Sequence, residues 1–150
     1  MQEAEQPPTQ VAGVRLAAGA AGIRYAGRDD LVLVETAPGS ACAATFTRNA
    51  FCAAPVTLAR AHLGQAGARY WLINSGNANA GTGNLGLADA LASCQAVADL
   101  AGVRPEAVLP FSTGVIGEPL PVTRITAALP GLMADLSEDG WERAARAIMT

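Results

Sequence analysis

Short apolar runs separated by glycine, proline and aspartate dominate the first half of the chain, a pattern typical of β-strands rather than of helices. This pattern predicts strands over residues 31–36, 41–47 and 69–74. Residues 37–40 read Ala-Pro-Gly-Ser and predict a tight turn, so the first two strands are expected to form an antiparallel hairpin. The third strand, RYWLIN, is mostly apolar and leads into a loop of small and amide residues.

Helical spacing follows that loop. Leu87, Leu91, Cys94 and Ala98 recur at three- and four-residue intervals, which predicts an amphipathic helix with these side chains on its buried face. Gly102 stands where the C-terminal cap of such a helix belongs.

A further strand and two more helices are predicted after this helix. Residues 107–112 form the strand, in which Pro110 favours an edge position or a bulge. A short helix follows Pro121 and is interrupted by Pro130, and the last helix begins at Ser137 as its N-cap. The apolar stripe of that last helix is predicted to consist of Trp141, Ala144, Ala145 and Ile148. Since strands and helices do not alternate strictly, the order favours a mixed α+β layered sandwich over a doubly wound sheet.

The composition mainly excludes classes of partner and location. The 150 residues are 51% hydrophobic, enough for one globular lobe over 11–150 after a flexible lead-in at 1–10. The net charge is −3 and the ten basic residues, all arginine, are scattered, so we expect no nucleic-acid partner. No apolar run approaches the roughly 18 residues that span a bilayer, and the lead-in lacks the features of a secretory signal. The expected location is therefore the cytoplasm, without membrane association.

Reactive side chains are few. His62 is the only histidine and is expected to be a surface or capping residue at a helix end or turn. Asp29 and Asp30 precede a strand and are interpreted as turn residues. No metal-ligand spacing occurs, so no metal site is predicted. Three cysteines are expected to be free thiols that behave as small buried apolar residues: Cys42, Cys52 and Cys94.

Two polar segments do not look like ordinary packing. Residues 74–83, NSGNANAGTG, are dense in hydrogen-bonding groups and form either a turn that caps the next helix or a ligand site or its scaffold. Residues 112–117, STGVIG, contain Thr113 and Gly114, and the backbone N–H of a glycine can closely approach a ligand. Two converging donors form the oxyanion hole that acyl transfer requires. A plain turn is the alternative for this segment.

A third motif, GTGNLG, has glycines at 81, 83 and 86 and has the G-x-G-x-x-G form of a dinucleotide site. Six residues separate its first glycine from the preceding strand, and the acidic residue expected after the next strand is replaced by Ser112 and Thr113. Nucleotide-dependent oxidoreduction is therefore the weaker alternative.

The segments GVRLAAGAAGIRYAGRDDLVLVE, ATFTRNAFCAAPV, NSGNANAGTG, LPFSTGVIGEPLP and RAARAIMT occur in this order along the chain. Together they resemble the α-chain portion of the ornithine acetyltransferases, also called glutamate N-acetyltransferases. The resemblance implies the layered α/β/β/α sandwich of the self-processing ornithine acetyltransferase and aminopeptidase type, with this chain as its N-terminal lobe.

The resemblance also implies an activity. In this family a precursor cleaves itself into α and β chains, and the N-terminal threonine of β carries the acetyl group from N-acetylornithine to glutamate in a ping-pong reaction. Its own α-amino group, with an unperturbed pKa of about 8, can act as the base without a histidine. No cofactor is implied, although acetyl-CoA is a possible acetyl donor, and the α and β chains are expected to form an α2β2 heterotetramer.

Site residues follow from the same resemblance. Thr113 and Gly114 correspond to the oxyanion hole, and Thr150 to a substrate contact. The resemblance further implies an active-site scaffold made of Asn74, Ser75, Gly76, Asn77 and Asn79. The family's self-cleavage segment, an Asn-Met-Ala-Thr-Met-Leu type sequence, does not occur in the 150 residues, so the end of α and all of β are expected to lie elsewhere. A self-processing amidohydrolase or aminopeptidase of the same fold, or a non-catalytic interaction lobe, stays open as an alternative.

Overall fold

The fold was determined as a computed structural model that describes residues 10–150. Nine of the ten residues in the predicted lead-in, 1–9, lie outside the described part. Within residues 10–150 the chain forms four strands, β1 to β4, and four helices, α1 to α4. The strands are Val14–Gly19, Leu31–Thr36, Tyr70–Asn77 and Val108–Val115. The helices are Ala54–Leu63, Gly83–Ala101, Val122–Ala134 and Trp141–Ala147.

The strands form one sheet in the order β1-β2-β3-β4. β1, β2 and β3 are antiparallel neighbours, whereas β4 runs parallel to β3 because α2 carries the chain back across the sheet. The run Leu31 to Val34 in β2 is buried at every position, as expected for a strand covered on both faces. One face packs against α2 and α3 and the other against α4. The mixed α+β class predicted from the sequence is confirmed.

The predicted strand at 41–47 and its hairpin with 31–36 are wrong. β2 lies between β1 and β3, so both of its edges are already hydrogen-bonded, and residues 41–47 form no regular element. Strand β1 was not predicted, because its sequence VRLAAG ends in alanines and glycine, which have weak strand preference. Pairing with β2 makes this segment a strand.

Helix α2 has the predicted position and the predicted cap, with Gly102 in the left-handed conformation. Its buried face was predicted only in part, because Cys94 and Ala98 are buried as expected but the two leucines are not. Leu87 and Leu91 are 37% and 45% exposed. The face toward the core consists mostly of small residues, Gly86, Ala90, Ser93, Cys94, Val97 and Ala98. Small side chains let the helix approach the sheet closely, so the largest apolar residues were a misleading guide to the buried face.

The prediction that Pro130 interrupts a helix is wrong. Helix α3 continues from Val122 to Ala134 with the proline inside it. Ile125, Leu129 and Leu132 are buried on the same helix face. Their burial stabilises the continuous helix and outweighs the one backbone hydrogen bond that a proline removes.

The last helix begins at Trp141 and not at Ser137. Ser137 pairs with Leu16 of β1 through two backbone hydrogen bonds, and its hydroxyl accepts a hydrogen bond from the Asp139 N–H. The segment before α4 is thereby held as an extended pair and a turn. The predicted apolar stripe is also partly wrong: Ala144 and Ala147 are buried, whereas Ala145 and Ile148 are exposed.

The strand predicted at 107–112 is β4, and it lies at an edge of the described sheet, as Pro110 indicated. A 3₁₀ turn at Pro105–Ala107 precedes it. Helix α1 packs along β4. Among residues 10–150, no helix has the length and apolarity needed to cross a membrane.

The cysteines differ in burial, and this difference gives a testable prediction. Cys94 lies fully inside the core, and burial raises the pKa of its thiol to about 12, whereas Cys42 and Cys52 are half-buried. Only the thiolate is nucleophilic, so Cys94 should stay protonated and unreactive at every pH up to about 10. We expect maleimide at pH 8 to modify Cys94 only after denaturation. Peptide mapping checks this, and rapid labelling of Cys94 in the folded protein would contradict its buried position.

Candidate active site

Gly114 lies where the ends of β3 and β4 approach each other most closely. Its φ is 137°, and a Cβ at this position would lie 2.3 Å from the carbonyl carbon of Gly76 and 2.5 Å from the nitrogen of Asn77. Only glycine fits, both because of the positive φ and because of the contact. Thr113 and Gly114 are both exposed. Thr113 and Gly114 thus belong to strand β4 and do not form a plain turn, and at Gly114 the strand presents a backbone without a shielding side chain.

A cavity of about 310 Å³ lies beside Gly114. Four of the residues predicted for the site, from three separate parts of the sequence, line it together: Ser75, Gly76, Gly114 and Thr150. Thr113 is the chain neighbour of Gly114 but does not line the cavity. The three asparagines of the predicted scaffold do not line it either and lie in the structure around it.

Asn74 joins the two parallel strands at the end of β3. Its Oδ1 accepts a hydrogen bond from the Ser112 hydroxyl at 2.6 Å, and its Nδ2 donates to the Asn77 carbonyl at 2.9 Å. The side chain is buried. Asn74 thus fixes the residue that precedes Thr113 against β3.

Asn77 holds the chain that follows β4. Its Nδ2 donates to the carbonyl oxygens of Glu118 and Pro119, both at 3.1 Å. Its Oδ1 accepts a hydrogen bond from the Asn79 N–H at 2.7 Å. Asn77 is 3% exposed, its bond with Asn79 is buried, and its two bonds with Glu118 and Pro119 are partly buried. The end of β4 is consequently fixed on both sides of Gly114, by Asn74 before it and by Asn77 after it.

Asn79 anchors the beginning of α2. This fully buried residue has a φ of 46°, donates from Nδ2 to the Gly86 carbonyl at 2.8 Å and accepts from the Thr82 hydroxyl at 3.1 Å. A Cβ at Gly86 would lie 1.9 Å from the Thr82 hydroxyl oxygen and 2.5 Å from the Asn79 Oδ1, so only glycine fits there. Packing against Thr82 and Asn79 explains the last glycine of GTGNLG, and no dinucleotide needs to be invoked.

The C-terminal residues of the chain form one wall of the cavity. The Ser75 hydroxyl donates to the Ala147 carbonyl at 2.7 Å, and the Arg28 guanidinium donates to the Met149 carbonyl. These two contacts connect the end of α4 to the sheet and to the β1–β2 loop. They place Thr150 beside the cavity, where the resemblance predicted a substrate contact.

Asp30 is a cavity residue whose importance the sequence did not reveal. Interpreted as a turn residue, it is 4% exposed, and its carboxylate accepts hydrogen bonds from the backbone N–H groups of Ala21 and Ile23 at 2.7 and 2.6 Å. Its own carbonyl accepts from the Ser75 N–H at 2.9 Å. Asp30 therefore shapes the β1–β2 loop and attaches it to β3. An acidic residue directly before a buried strand was the only sequence signal.

Arg24 is a second cavity residue that the sequence did not single out. Its guanidinium lies 3.1 Å from the Glu118 carboxylate and 5.8 Å from the centre of the Tyr25 ring. The Tyr25 hydroxyl and then the Glu118 carboxylate raise the pKa of Arg24 above its already high ordinary value, so the side chain stays charged. The ion pair between Arg24 and Glu118 connects the β1–β2 loop to the chain just after β4.

The prediction that His62 lies at the surface is wrong. It lies in the last turn of α1, is 4% exposed, and its Nδ1–H donates to the Val108 carbonyl at 2.7 Å. The imidazole joins α1 to β4 and does not line the cavity. Within residues 10–150 no cluster of three His, Cys, Asp or Glu side chains has the arrangement of a metal site.

Sequence comparison identifies relatives along nearly the whole chain. The model of the ArgJ family matches residues 15–150. The arginine biosynthesis bifunctional protein ArgJ of Methylococcus capsulatus is 67% identical over 140 residues, and that of Pseudomonas syringae pv. tomato is 54% identical over 140 residues. Each match covers 93% of this chain and 34% of the relative. The chain thus spans about a third of the length of the curated relatives it matches.

Solved structures agree with this result. The ornithine acetyltransferase of Mycobacterium tuberculosis, crystallised with ornithine, superposes with a TM-score of 0.87 at 38% identity, covering 93% of this chain and 76% of that one. The ArgJ protein of Bacillus halodurans gives 0.85 at 30% identity, covering 93% and 73%. A family model matching more than half of the residues, supported by both kinds of relative, shows that this chain belongs to the ArgJ family.

Proposed function

We propose that this chain is the α portion of a glutamate N-acetyltransferase, which transfers the acetyl group of N-acetylornithine to glutamate in arginine biosynthesis. The observation that carries the proposal is the cavity in which Gly114 and Thr150 meet. A backbone free of side-chain shielding lies there beside a hydroxyl residue, in a chain of the ArgJ family. The structural relative from Mycobacterium tuberculosis was crystallised with ornithine, the amino acid that the first half-reaction releases.

In the proposed reaction, the N-terminal threonine of a separate β chain attacks the acetyl carbonyl of N-acetylornithine. Its α-amino group accepts the hydroxyl proton as the oxygen–carbon bond forms. Thr113 and Gly114 donate hydrogen bonds to the oxyanion of the tetrahedral intermediate. The carbon–nitrogen bond then breaks, and ornithine leaves with the proton on its amine. Glutamate attacks the acetyl-threonine ester with its amine, and N-acetylglutamate leaves as the threonine regains its proton.

The burial of His62 removes this side chain as a candidate for the base. The sequence contains one histidine, and its Nδ1–H is bonded to the Val108 carbonyl away from the cavity. A nucleophile with its own α-amino group needs no imidazole. In this proposal an active-site scaffold holds the end of β4 and the cavity wall. It consists of Asn74, Ser75, Gly76, Asn77 and Asn79.

The β chain is proposed to come from the same precursor and to complete an α2β2 heterotetramer in the cytoplasm, with no cofactor. The curated relatives are named bifunctional, which supports acetyl-CoA as a second acetyl donor for glutamate.

Product analysis of the complete protein tests the function. With N-acetylornithine and labelled glutamate, we expect ornithine and labelled N-acetylglutamate in equal amounts, and intact-mass analysis should show two chains with a threonine at the start of β. Release of free acetate without labelled product would instead indicate the amidohydrolase alternative. Absence of both products would favour a non-catalytic lobe.

A further inference from the structure

A second cavity, of about 330 Å³, lies beside β4. Four consecutive residues of the strand, 109–112, line it. Successive side chains of a strand point to opposite faces, so a cavity that touches four residues in a row follows the edge of the strand. The other walls come from residues 44–47 and from α1, which contributes Pro55, Val56 and Ala59. This cavity, the β4 groove, is separate from the cavity at the ends of β3 and β4.

The groove follows the edge of β4 that faces away from β3. The Ala107 carbonyl accepts a hydrogen bond from the Arg69 N–H, so the backbone groups of every second residue from 107 onward point toward β3. The backbone groups of the residues between them point away from β3. Val108 agrees with this alternation, because its carbonyl accepts from His62 of α1 at 2.7 Å.

Two residues further along this edge have backbone groups without a partner. The carbonyls of Pro110 and Ser112 and the Ser112 N–H point outward and make no hydrogen bond within residues 10–150. Pro110 has no N–H, so Ser112 supplies the one outward donor of 109–112. Unpaired groups at a strand edge bind extended ligands through the hydrogen bonds that another strand would make. The groove thus combines an open peptide edge with an enclosed space.

The walls of the groove are largely apolar, and one positive charge lies at its rim. The Arg60 guanidinium lies 5.0 Å from the centre of the Phe46 ring and donates to the Thr47 carbonyl at 3.1 Å. Phe46 and Thr47 both line the groove. In the part of the chain that the structure describes, no carboxylate lies within ion-pair distance of Arg60. The rim therefore offers an uncompensated cation to an anionic ligand.

We propose that the β4 groove binds the pantetheine arm of acetyl-CoA, with the phosphates of its nucleotide end at Arg60. This arm is a narrow, extended chain with two amide groups, and it ends in negative charge. It therefore matches the apolar walls, the open strand edge and the charge at the rim. The inference rests on the proposed function and deepens it, because it assigns the second acetyl donor a binding site of its own.

The position of the groove suits transfer to the same nucleophile. Gly114 lies two residues beyond the end of the groove at Ser112, about 7 Å along the strand. The threonine oxygen of β bonds to the thioester carbonyl carbon while its α-amino group takes the hydroxyl proton. The carbon–sulfur bond then breaks, and the thiol leaves with that proton. The acetyl-threonine that remains is the intermediate that N-acetylornithine also forms, so no further reactant is needed.

Four acetyl donors of different length test the groove on the complete protein with labelled glutamate. They are acetyl-CoA, S-acetylpantetheine, S-acetyl-N-acetylcysteamine and N-acetylornithine. Val56→Trp fills the groove, so we expect kcat/KM for the two long thioesters, relative to N-acetylornithine, to fall at least about 10-fold. The short N-acetylcysteamine thioester should keep its ratio to N-acetylornithine. Arg60→Gln should lower the ratio about 10-fold for acetyl-CoA alone, because only this donor has phosphates.

Matched controls change the same residue types outside the groove. Thr57→Trp places the indole on the next, exposed position of α1, and Arg124→Gln removes an exposed arginine of α3 whose hydrogen bond is to the Gly22 carbonyl. Both should leave every ratio unchanged. Equal loss for all four donors in Val56→Trp, or no loss for acetyl-CoA, would overturn the site.

The two proposals fail in different ways. If the wild type uses N-acetylornithine but neither binds nor uses acetyl-CoA, the groove assignment is wrong while the proposed function stands. If acetyl-CoA acetylates glutamate and Val56→Trp prevents this, but no acetyl group passes from N-acetylornithine, the proposed function fails while the groove assignment stands.

Discussion

Replacing Gly114 with alanine is expected to lower acetyl transfer by the complete protein about 100- to 1000-fold, the usual loss when one oxyanion donor is removed. The new methyl group would lie 2.3 Å from the Gly76 carbonyl carbon and 2.5 Å from the Asn77 nitrogen, and both belong to backbone that cannot rotate away. The ends of β3 and β4 must separate, and the proposed donors at the end of β4 are then no longer aimed at the reacting carbonyl. The loss should appear in kcat more than in the affinity for ornithine.

Gly117→Ala is the control for the Gly114 substitution. Gly117 belongs to the same connection and also has a positive φ, 84°, but no atom lies within 4 Å of the position its Cβ would take. Backbone strain of about 1 kcal/mol should therefore be its main effect, with at most about a 10-fold loss of rate. Thermal denaturation checks that both variants fold. Equal loss of transfer in the two variants would mean that strain in the connection, and not an oxyanion donor, explains the result.

Asn77→Ala is expected to lower the free energy of unfolding by about 2 to 4 kcal/mol, a large effect for one substitution. It leaves the carbonyls of Glu118 and Pro119 and the buried Asn79 N–H without their side-chain partner. The same loss releases the chain after Gly114, so transfer activity should fall even under conditions where the variant is folded. Urea denaturation of the complete protein and kcat at a low urea concentration measure the two effects.

Asn84→Ala provides the comparison for Asn77. Asn84 is exposed in the first turn of α2, and its replacement should change the free energy of unfolding by no more than about 0.5 kcal/mol. Asn77→Asp adds a second test, since it keeps the oxygen that accepts from Asn79 but loses both donated bonds. An Asn77→Ala protein that unfolds at the same urea concentration as Asn84→Ala would show that the Asn77 side chain does not hold the chain after β4.

Three strands could be predicted because their apolar runs are long enough to be recognised locally. Residues 31–36, 69–74 and 107–112 all lie within or close to observed strands. The buried face of α2 could not be predicted in the same way. Ala90 and Ser93 are buried because a small side chain permits close packing against a neighbouring element, and that neighbour is invisible in the local sequence. Residues 14–19 likewise form a strand because they pair with β2, a contact that the local sequence does not show.

The candidate site shows the same limit. Thr113 and Gly114 could be singled out because a hydroxyl residue and a glycine are adjacent in one short motif. Arg24 could not, since its partner Glu118 is 94 positions away in the chain and only the fold brings the two together. The hydrogen bonds of Asn77 span 41 and 42 positions. Local sequence thus singled out Thr113 and Gly114 as candidates, whereas the groups that surround and hold them depended on tertiary contacts.

The asparagine network restricts which positions can be varied by protein engineering. Asn74, Asn77 and Asn79 each use both the nitrogen and the oxygen of the side-chain amide on bonds within the protein. A mutant library over these positions would consist mainly of variants that fold poorly, whatever new acyl acceptor is sought. Positions 24, 25 and 28 line the cavity from a loop whose shape depends on Asp30. Directed evolution toward new substrates should begin with those three.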